Sequence, residues 1–422
     1  MSRYNVRLLR HDSKGALRQR MRALGADPRG IQIMLPKARF HVLKVESLSF
    51  AAANILKQEM LAKGGDAAIS GDIYFGEEQT TDALLMGTER TLHRVVDILH
   101  KQPLPSLQQL GKELETALTN IESRELGTCR IGPHDFAWNE RTFIMGIVNV
   151  TPDSFSGDGL LAKEGELSPD AVEQAVDRAL SFVKDGADII DIGGESTRPG
   201  SQPVDAQMEL TRVLPIIREL RKETKAPISI DTYKAAVAKE ALDAGADMVN
   251  DVWGLRMDPQ MAPLVAERDV PVVLMHNRSK PKNAEQQERL GGRYVDIAYE
   301  DLMADILREL RGQIDVALEA GIDQEKIIVD PGIGFGKTVE QNLTLLNHVD
   351  ELHVLGFPLL IGPSRKSFIG YTLDLPPEER VEGTGAAVAL AIARGGADII
   401  RIHDVRAMAR VARMTDALVR ET

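Results

Sequence analysis

The chain of 422 residues contains one cysteine, Cys129. A lone thiol excludes an intramolecular disulfide and any cysteine-based metal cluster, and it suits a reducing compartment, so a cytoplasmic protein is expected. Aromatic residues make up only 4% of a chain that is 43% hydrophobic, so aliphatic side chains must fill the core. Long apolar runs are missing too. The longest, around 386–393, falls far short of the roughly 20 residues that a membrane-spanning helix needs, and no membrane partner is expected. Nor is positive charge in excess: the formal net charge is −12, which argues against general nucleic-acid binding while leaving room for a local basic patch. No apolar signal-peptide core is present. Arg3, Arg7, Arg10, Arg18, Arg20, Arg22 and Arg29 give the first thirty residues the look of a transit peptide, although Ala16, Leu17, Met21 and Leu24 also form one face of an ordinary helix.

What is present is enough chain for a large core and two domains. Residues 1–128 read as a small α+β domain. A strand is expected at 5–9, a helix capped by Asp12, an extended run at 38–45 and a helix from Ser49 that ends at Gly64-Gly65. Short extended pieces at 67–70 and 83–86 precede a helix marked by Leu92, Val95, Val96 and Leu99, and then one marked by Leu107, Leu110, Leu114 and Leu118. No catalytic constellation occurs there, so interaction, regulation or plain packing is its expected role. The boundary falls in the segment around 127–133.

From there the pattern becomes regular. Candidate strands lie at 144–149, 188–193, 228–231, 247–250, 272–276, 326–330, 358–362 and 398–402, with helical stretches between them and glycines at 186, 245 and 396 placed as helix C-caps. Such alternation predicts an α/β chain whose residues 129–422 form a (β/α)8 TIM barrel. A doubly wound sheet is the alternative, but the Gly-rich dinucleotide fingerprint is missing after the first strand.

In such a barrel, chemistry gathers at the C-terminal ends of the strands, and the polar residues fall there. Asn149, Asp191, Asp231, Asn250-Asp251, His276-Asn277-Arg278, Asp330, Ser364-Arg365-Lys366-Ser367 and Arg401-Ile402-His403-Asp404 follow one strand each, and the second strand runs on into Thr197-Arg198-Pro199. Asp231, Asn250 and Asp330 suit the amino and ring N–H groups of a heterocycle. Arg198, Arg365, Lys366, Arg401 and His403 suit a phosphorylated anion. Any one of them, Asp251 or Asp404 for example, could instead be a strand-end cap or a rim ion pair. The run Gly332-Ile333-Gly334-Phe335-Gly336-Lys337-Thr338 imitates a phosphate-binding loop, but proline occupies position 331 where that motif requires glycine, and a tight turn is the better reading. His276 has no second histidine nearby, and zinc is not indicated.

These strand-end motifs, in order from Ile147–Gly159 through Asp191–Gly200, Ile230–Lys234, Asn250-Asp251, Asp330–Gly336 and Ser364–Gly370 to Arg401–Val405, resemble dihydropteroate synthase, an enzyme family of folate biosynthesis. Tyr233 stands where the family commonly has a small hydroxyl residue, His276-Asn277-Arg278 is a less typical ending, and the polar loop 279–294 is long. The resemblance covers about residue 142 to the C-terminus and leaves the N-terminal domain unmatched. It implies a transferase that joins a dihydropterin methyl diphosphate to p-aminobenzoate. It implies that Asp231, Asn250, Asp330 and Lys366 hold the pterin, and that Asn149, Thr197, Arg198, Arg401 and His403 surround the diphosphate with Mg²⁺ beside Asn149. Thr197, Pro199, Lys366 and Ser367 would border p-aminobenzoate, and a homodimer is implied. Among these, Asn149, Asp231, Asp330, Lys366, Arg401 and His403 are the expected catalytic set. A pterin-dependent methyltransferase on the same barrel would share the acids but have no use for the Arg198, Arg401 and His403 cluster. A catalytically silent pterin- or partner-binding barrel is the third reading.

Overall fold

The structure is a computed structural model that describes residues 6–9, 14–75, 79–138, 140–150, 168–196, 201 and 203–420. It divides into two units between Ser123 and Arg124, slightly ahead of the expected boundary.

In the first unit three antiparallel strands, β1 (Phe40–Ser49), β2 (Asp66–Ile69) and β3 (Thr80–Thr88), lie in the order β1-β3-β2. Helices α1 (Lys14–Ala23), α2 (Pro28–Ala38), α3 (Phe50–Ala62), α4 (Glu89–Leu99) and α5 (Pro105–Ser123) complete it. Leu56 and Met60 of α3, Leu92 and Leu99 of α4, and Leu107 and Leu118 of α5 share a core with Leu85 of β3. Ser49 and Thr88 each leave a strand and cap the helix that follows, accepting the amides of Ala52 and Thr91. One expectation needs correction: residues 6–9 form no strand. The expected cap residue Asp12 lies outside the described residues. Helix α2 was not foreseen, although Asp27 accepts the Arg29 and Gly30 amides ahead of Pro28, an ordinary helix start.

In the second unit the eight parallel strands are β6 (Phe143–Asn149), β7 (Ile189–Gly193), β8 (Ile228–Asp231), β9 (Met248–Asp251), β10 (Val272–Met275), β13 (Ile327–Asp330), β14 (Leu360–Ile361) and β15 (Ile399–Ile402). They pair in the order β13-β10-β9-β8-β7-β6-β15-β14, and a parallel bridge between Val329 and Leu359 closes the ring into the expected (β/α)8 barrel. Around it run α6 (Pro169–Asp185), α7 (Ala206–Glu223), α8 (Ala235–Asp243), α9 (Met261–Arg268), α10 (Leu302–Glu319), α11 (Val339–Asn347), α12 (Ser367–Leu373), α13 (Val381–Ala393) and α14 (Val405–Val419). Gly186 ends α6 with φ +106, but after α13 the left-handed residue is Gly395, one position before the expected Gly396.

A hairpin of β4 (Thr128–Ile131) and β5 (His134–Ala137) contributes Cys129, Ile131, Phe136 and Trp138 to the cluster formed by Phe143, Met145, Ile189, Met248, Val273, Ile328, Leu360 and Ile399. Phe136, Trp138 and Phe143 pack with ring centroids 4.7 to 5.8 Å apart. Three of the chain's 18 Phe, Trp and Tyr residues therefore pack together in this cluster. Cys129 sits in it too, where burial pushes its thiol up to about 12 and removes the reactive thiolate. Among the described residues no helix is long and apolar enough to cross a membrane.

Candidate active site

Side-chain alternation along short parallel strands fixes which residues reach the mouth. Asp231 at the end of β8 is paired in register with Asn250 of β9 and Gly193 of β7, which brings the third and fourth strand ends side by side. Asn250 is buried and its Nδ2 lies 3.3 Å from Asp191 Oδ2, on β7. Arg401 reaches across from β15: its Nε donates to Asp191 Oδ2 at 2.6 Å and its Nη2 to Asp231 Oδ2 at 2.5 Å. Asp330, at the end of β13, is 5% exposed and accepts the Gly332 amide at 2.6 Å. Asp191, Asp231, Asn250, Asp330 and Arg401 thus form one polar floor.

Burial dominates the protonation of this floor. It raises the Asp231 carboxyl to about 7 against the attraction of Arg401, with Asp191 and Glu209 adding to the rise. Burial likewise raises Asp330 to about 6, opposed by the Gly332 amide and by Lys366. Lys366, the cap residue of α12, extends over the floor with its Nζ 3.9 Å from the Phe335 ring centre. The turn below it leaves no room for a side chain: a Cβ on Gly334 would lie 2.8 Å from Lys366 Cδ.

The opposite side of the mouth comes from β6, β14 and β15. Ser364 Oγ accepts the His403 amide at 3.0 Å and lies 2.9 Å from His403 Nδ1, while Asn149 Nδ2 lies 3.3 Å from Nε2. The imidazole is held at both nitrogens. Ser367 opens α12 beside Lys366. Thr197, Arg198 and Pro199 lie outside the described residues, as does the loop 151–159.

Several strand-end polar groups are structural. Asp251 Oδ1 and Oδ2 accept the Trp253 and Leu255 amides, each at 2.8 Å. Arg365, expected to meet a phosphate, instead donates Nε to Asp404 Oδ2 at 2.8 Å and Nη2 to Oδ1 at 2.5 Å. His276 is fully buried with Nδ1 2.9 Å from Lys337 Nζ. Burial and Lys337 push it down to about 3 against Glu309, whose Oε2 lies 3.2 Å from Nε2, so His276 is a neutral member of a buried polar cluster. Thr338 serves as the N-cap of α11 and completes a capping box with Gln341, the reverse of a phosphate-binding role. A Cβ on Gly332 would lie 1.9 Å from the His276 carbonyl oxygen, so this glycine, at φ +71, marks a backbone crossing.

With this geometry in view, the comparisons are specific. A profile of the pterin binding enzyme family matches residues 145–403. The dihydropteroate synthase of Bacillus subtilis is 48% identical over 287 residues, 68% of this chain and 92% of the relative. A dihydropteroate synthase from Clostridium difficile, solved in the presence of pteroic acid, superposes with a TM-score of 0.60 at 47% identity, covering 68% of this chain and 100% of its own. This chain belongs to the dihydropteroate synthase family. A probable bifunctional folylpolyglutamate synthase/dihydropteroate synthase from Halobacterium salinarum is 39% identical over 407 residues, 96% of this chain and 46% of that protein, so similarity to that relative also reaches the N-terminal unit.

Two residues of this family member's site are not evident from the sequence. Asp191 reads there only as a strand end, because its pairing with Arg401 joins positions 210 apart. Lys337 reads only as part of an imitation phosphate loop. It is 2% exposed and donates to the Gly332 and Phe335 carbonyls, fixing the turn under Lys366. A lysine following three closely spaced glycines was the available signal.

Proposed function

We propose that the barrel joins a (7,8-dihydropterin-6-yl)methyl diphosphate to p-aminobenzoate, giving 7,8-dihydropteroate and diphosphate. The observation that carries this reading is a buried floor in which Asp231, Asn250 and Asp330 are the acceptors and Arg401 the cation, at the same strand ends that carry Lys366 and the His403–Asn149 pair. The floor supplies acceptors for the amino and ring N–H groups of a pterin, and the cations offset charge where the methylene carbon meets its leaving group.

Breaking the carbon–oxygen bond leaves a cation delocalised into the pterin and a diphosphate of growing charge. Preorganised Arg401, Lys366 and His403 favour that separation most in its transition state. The arylamine is neutral at ordinary pH, so Lys366 and Ser367 need only orient it for attack. Thr197, Arg198 and Pro199 complete the amine and diphosphate subsites in this reading.

Magnesium fits the donor set. Asn149 offers one amide oxygen, a hard donor of the kind a small hard cation takes, while its Nδ2 is turned to His403 Nε2. When bound, Mg²⁺ would neutralise charge on the departing diphosphate. The reading includes a homodimer, for which Leu390 on α13 and Met414 and Leu418 on α14 offer exposed apolar surface, and a cytoplasmic setting, which a single reduced cysteine suits. Sedimentation equilibrium tests the first of these. The reaction is tested by following diphosphate release from the pterin substrate with and without p-aminobenzoate. Release that ignores the amine would make the protein a hydrolase.

A further inference from the structure

The loop after the fifth barrel strand contains a second hairpin, β11 (Ala284–Gln287) and β12 (Gly291–Tyr294), with Leu290 and Tyr294 buried. It docks on α12, the helix that begins directly after Lys366. Tyr371 donates its hydroxyl to the Gly291 carbonyl at 3.3 Å, Arg293 stacks 4.7 Å from the Tyr371 ring centre, and Arg289 pairs with Asp374. Beneath this contact lies Arg380, only 2% exposed. Its hydrogen bonds among the described residues all go to backbone carbonyls: Nη1 to Arg365, Nε to Leu375, and Nη2 to Leu290 and Leu375, each at 3.0 Å.

A guanidinium buried without a carboxylate in hydrogen-bond contact is a costly way to fill space, and burial holds Arg380 below the usual arginine range although Glu378 opposes the shift. Its planar fork is, however, suited to holding three separate segments at once. One of them is strained. Arg365 has φ +53, and three contacts fix it there: its amide donates to Thr384 Oγ1 at 3.1 Å, its side chain engages Asp404, and its carbonyl accepts from Arg380. The next residue is Lys366. Room for the clamp is also reserved, because a Cβ on Gly370 would lie 2.1 Å from Arg380 Nη2.

We propose that Arg380 is a positioning residue for Lys366: it clamps the strained Arg365 peptide and ties the β11–β12 hairpin to it, so that the lysine is delivered over the pterin floor. This rests on the pterin-condensing reading of the pocket, and the test separates the two. Steady-state turnover and calorimetric titration with a pterin lacking the diphosphate are measured for the wild type, Arg380→Lys, Lys366→Ala and the double variant, below the melting temperature of each. Arg380→Lys keeps the charge but loses the fork. It is expected to lower kcat/KM about tenfold or more and to weaken pterin binding, while in the Lys366→Ala background the same change adds less than about twofold. Equal losses in both backgrounds would overturn the proposal, as would a lowered melting temperature with unchanged kinetics and binding.

Should Arg380→Lys fail to fold, two other variants carry the same cycle. Gly370→Ala displaces the guanidinium from a residue whose helical backbone alanine can adopt, and replacing 284–294 by a short turn removes the Leu290 arm. Each is expected to act only when Lys366 is present. If the wild type shows no turnover, the reaction reading falls, and the pterin titrations still decide the role of Arg380.

Discussion

Replacing Arg401 with methionine removes a cation shared by Asp191 and Asp231. The resemblance assigns Asp231 to the pterin and Arg401 to the diphosphate, and the ion pairs at 2.6 and 2.5 Å couple the two, so loss of Arg401 is expected to reach binding of a bare pterin as well. Asp191 is fully buried, and Asp231 already sits at about 7 because burial outweighs the attraction of Arg401. Removing one partner of a buried pair costs about 3–5 kcal/mol of stability, less whatever proton uptake relieves. That uptake reaches the ligand as well. Ionised Asp231 accepts a pterin N–H more strongly than its protonated form, and each pKa unit above the assay pH subtracts at most about 1.4 kcal/mol, a factor of ten in affinity. Calorimetry with a pterin lacking the diphosphate, from pH 6 to 9, should show wild-type affinity rising through about pH 7. The variant should bind more weakly at pH 7, with its rise displaced to higher pH, and should denature at lower urea concentration. Equal affinity at pH 7 together with equal stability would refute this reasoning.

Asp330→Ala removes an acceptor from the same floor and should weaken the bare pterin by roughly 1–3 kcal/mol or more for each N–H left unpaired, read by the same titration. Because Asp330 and Asp231 are raised to about 6 and 7, they hold protons at pH 6 that an N–H donor must displace. Pterin binding should therefore release protons at pH 6 and not at pH 8.5, detected as a dependence of the heat on the buffer's ionisation enthalpy. Asp398 is fully buried and is engaged by Arg124 Nη2 at 2.9 Å and by the Leu359 amide at 2.8 Å. A chain beginning at Arg124 should accordingly fold and retain activity, whereas one beginning at Cys129 should be less stable by about 3–5 kcal/mol in urea titration. Equal stability of the two would show that Asp398 does not depend on Arg124.

The barrel was legible because each buried parallel strand is a short aliphatic run ending in a polar residue, as in Ile327–Asp330 and Ile399–Ile402. The seventh strand is expected at 358–362, but its ladder covers Leu360–Ile361 with a single bridge at Leu359, and Pro358 and Pro363, neither of which has an amide to donate, flank it. The loop 279–294 looked merely polar. Its hairpin rests on Leu290, Tyr294 and the distant Arg380, which local patterning does not reveal. In α2, Pro36 near the end of the helix obscured the Asp27-Pro28 start. At the site, residue identity marked Asp231, Asn250, Asp330, Lys366 and His403, but not which charges would pair. Arg365 and Arg401 both read as phosphate ligands. One is held by Asp404 on the following strand end, and the other by acids that arrive from strands far away in sequence.

The central claim is that this pocket forms a carbon–nitrogen bond at the pterin methylene. The full chain should be incubated with dihydropterin methyl diphosphate, p-aminobenzoate and Mg²⁺, with Asp330→Ala in parallel, and the mixture read by mass spectrometry. The account predicts dihydropteroate in equal amount to the diphosphate released, dependent on both substrates and on Mg²⁺, and strongly reduced in the variant. No dihydropteroate at high enzyme concentration, from a wild-type protein that still binds the bare pterin, would contradict it.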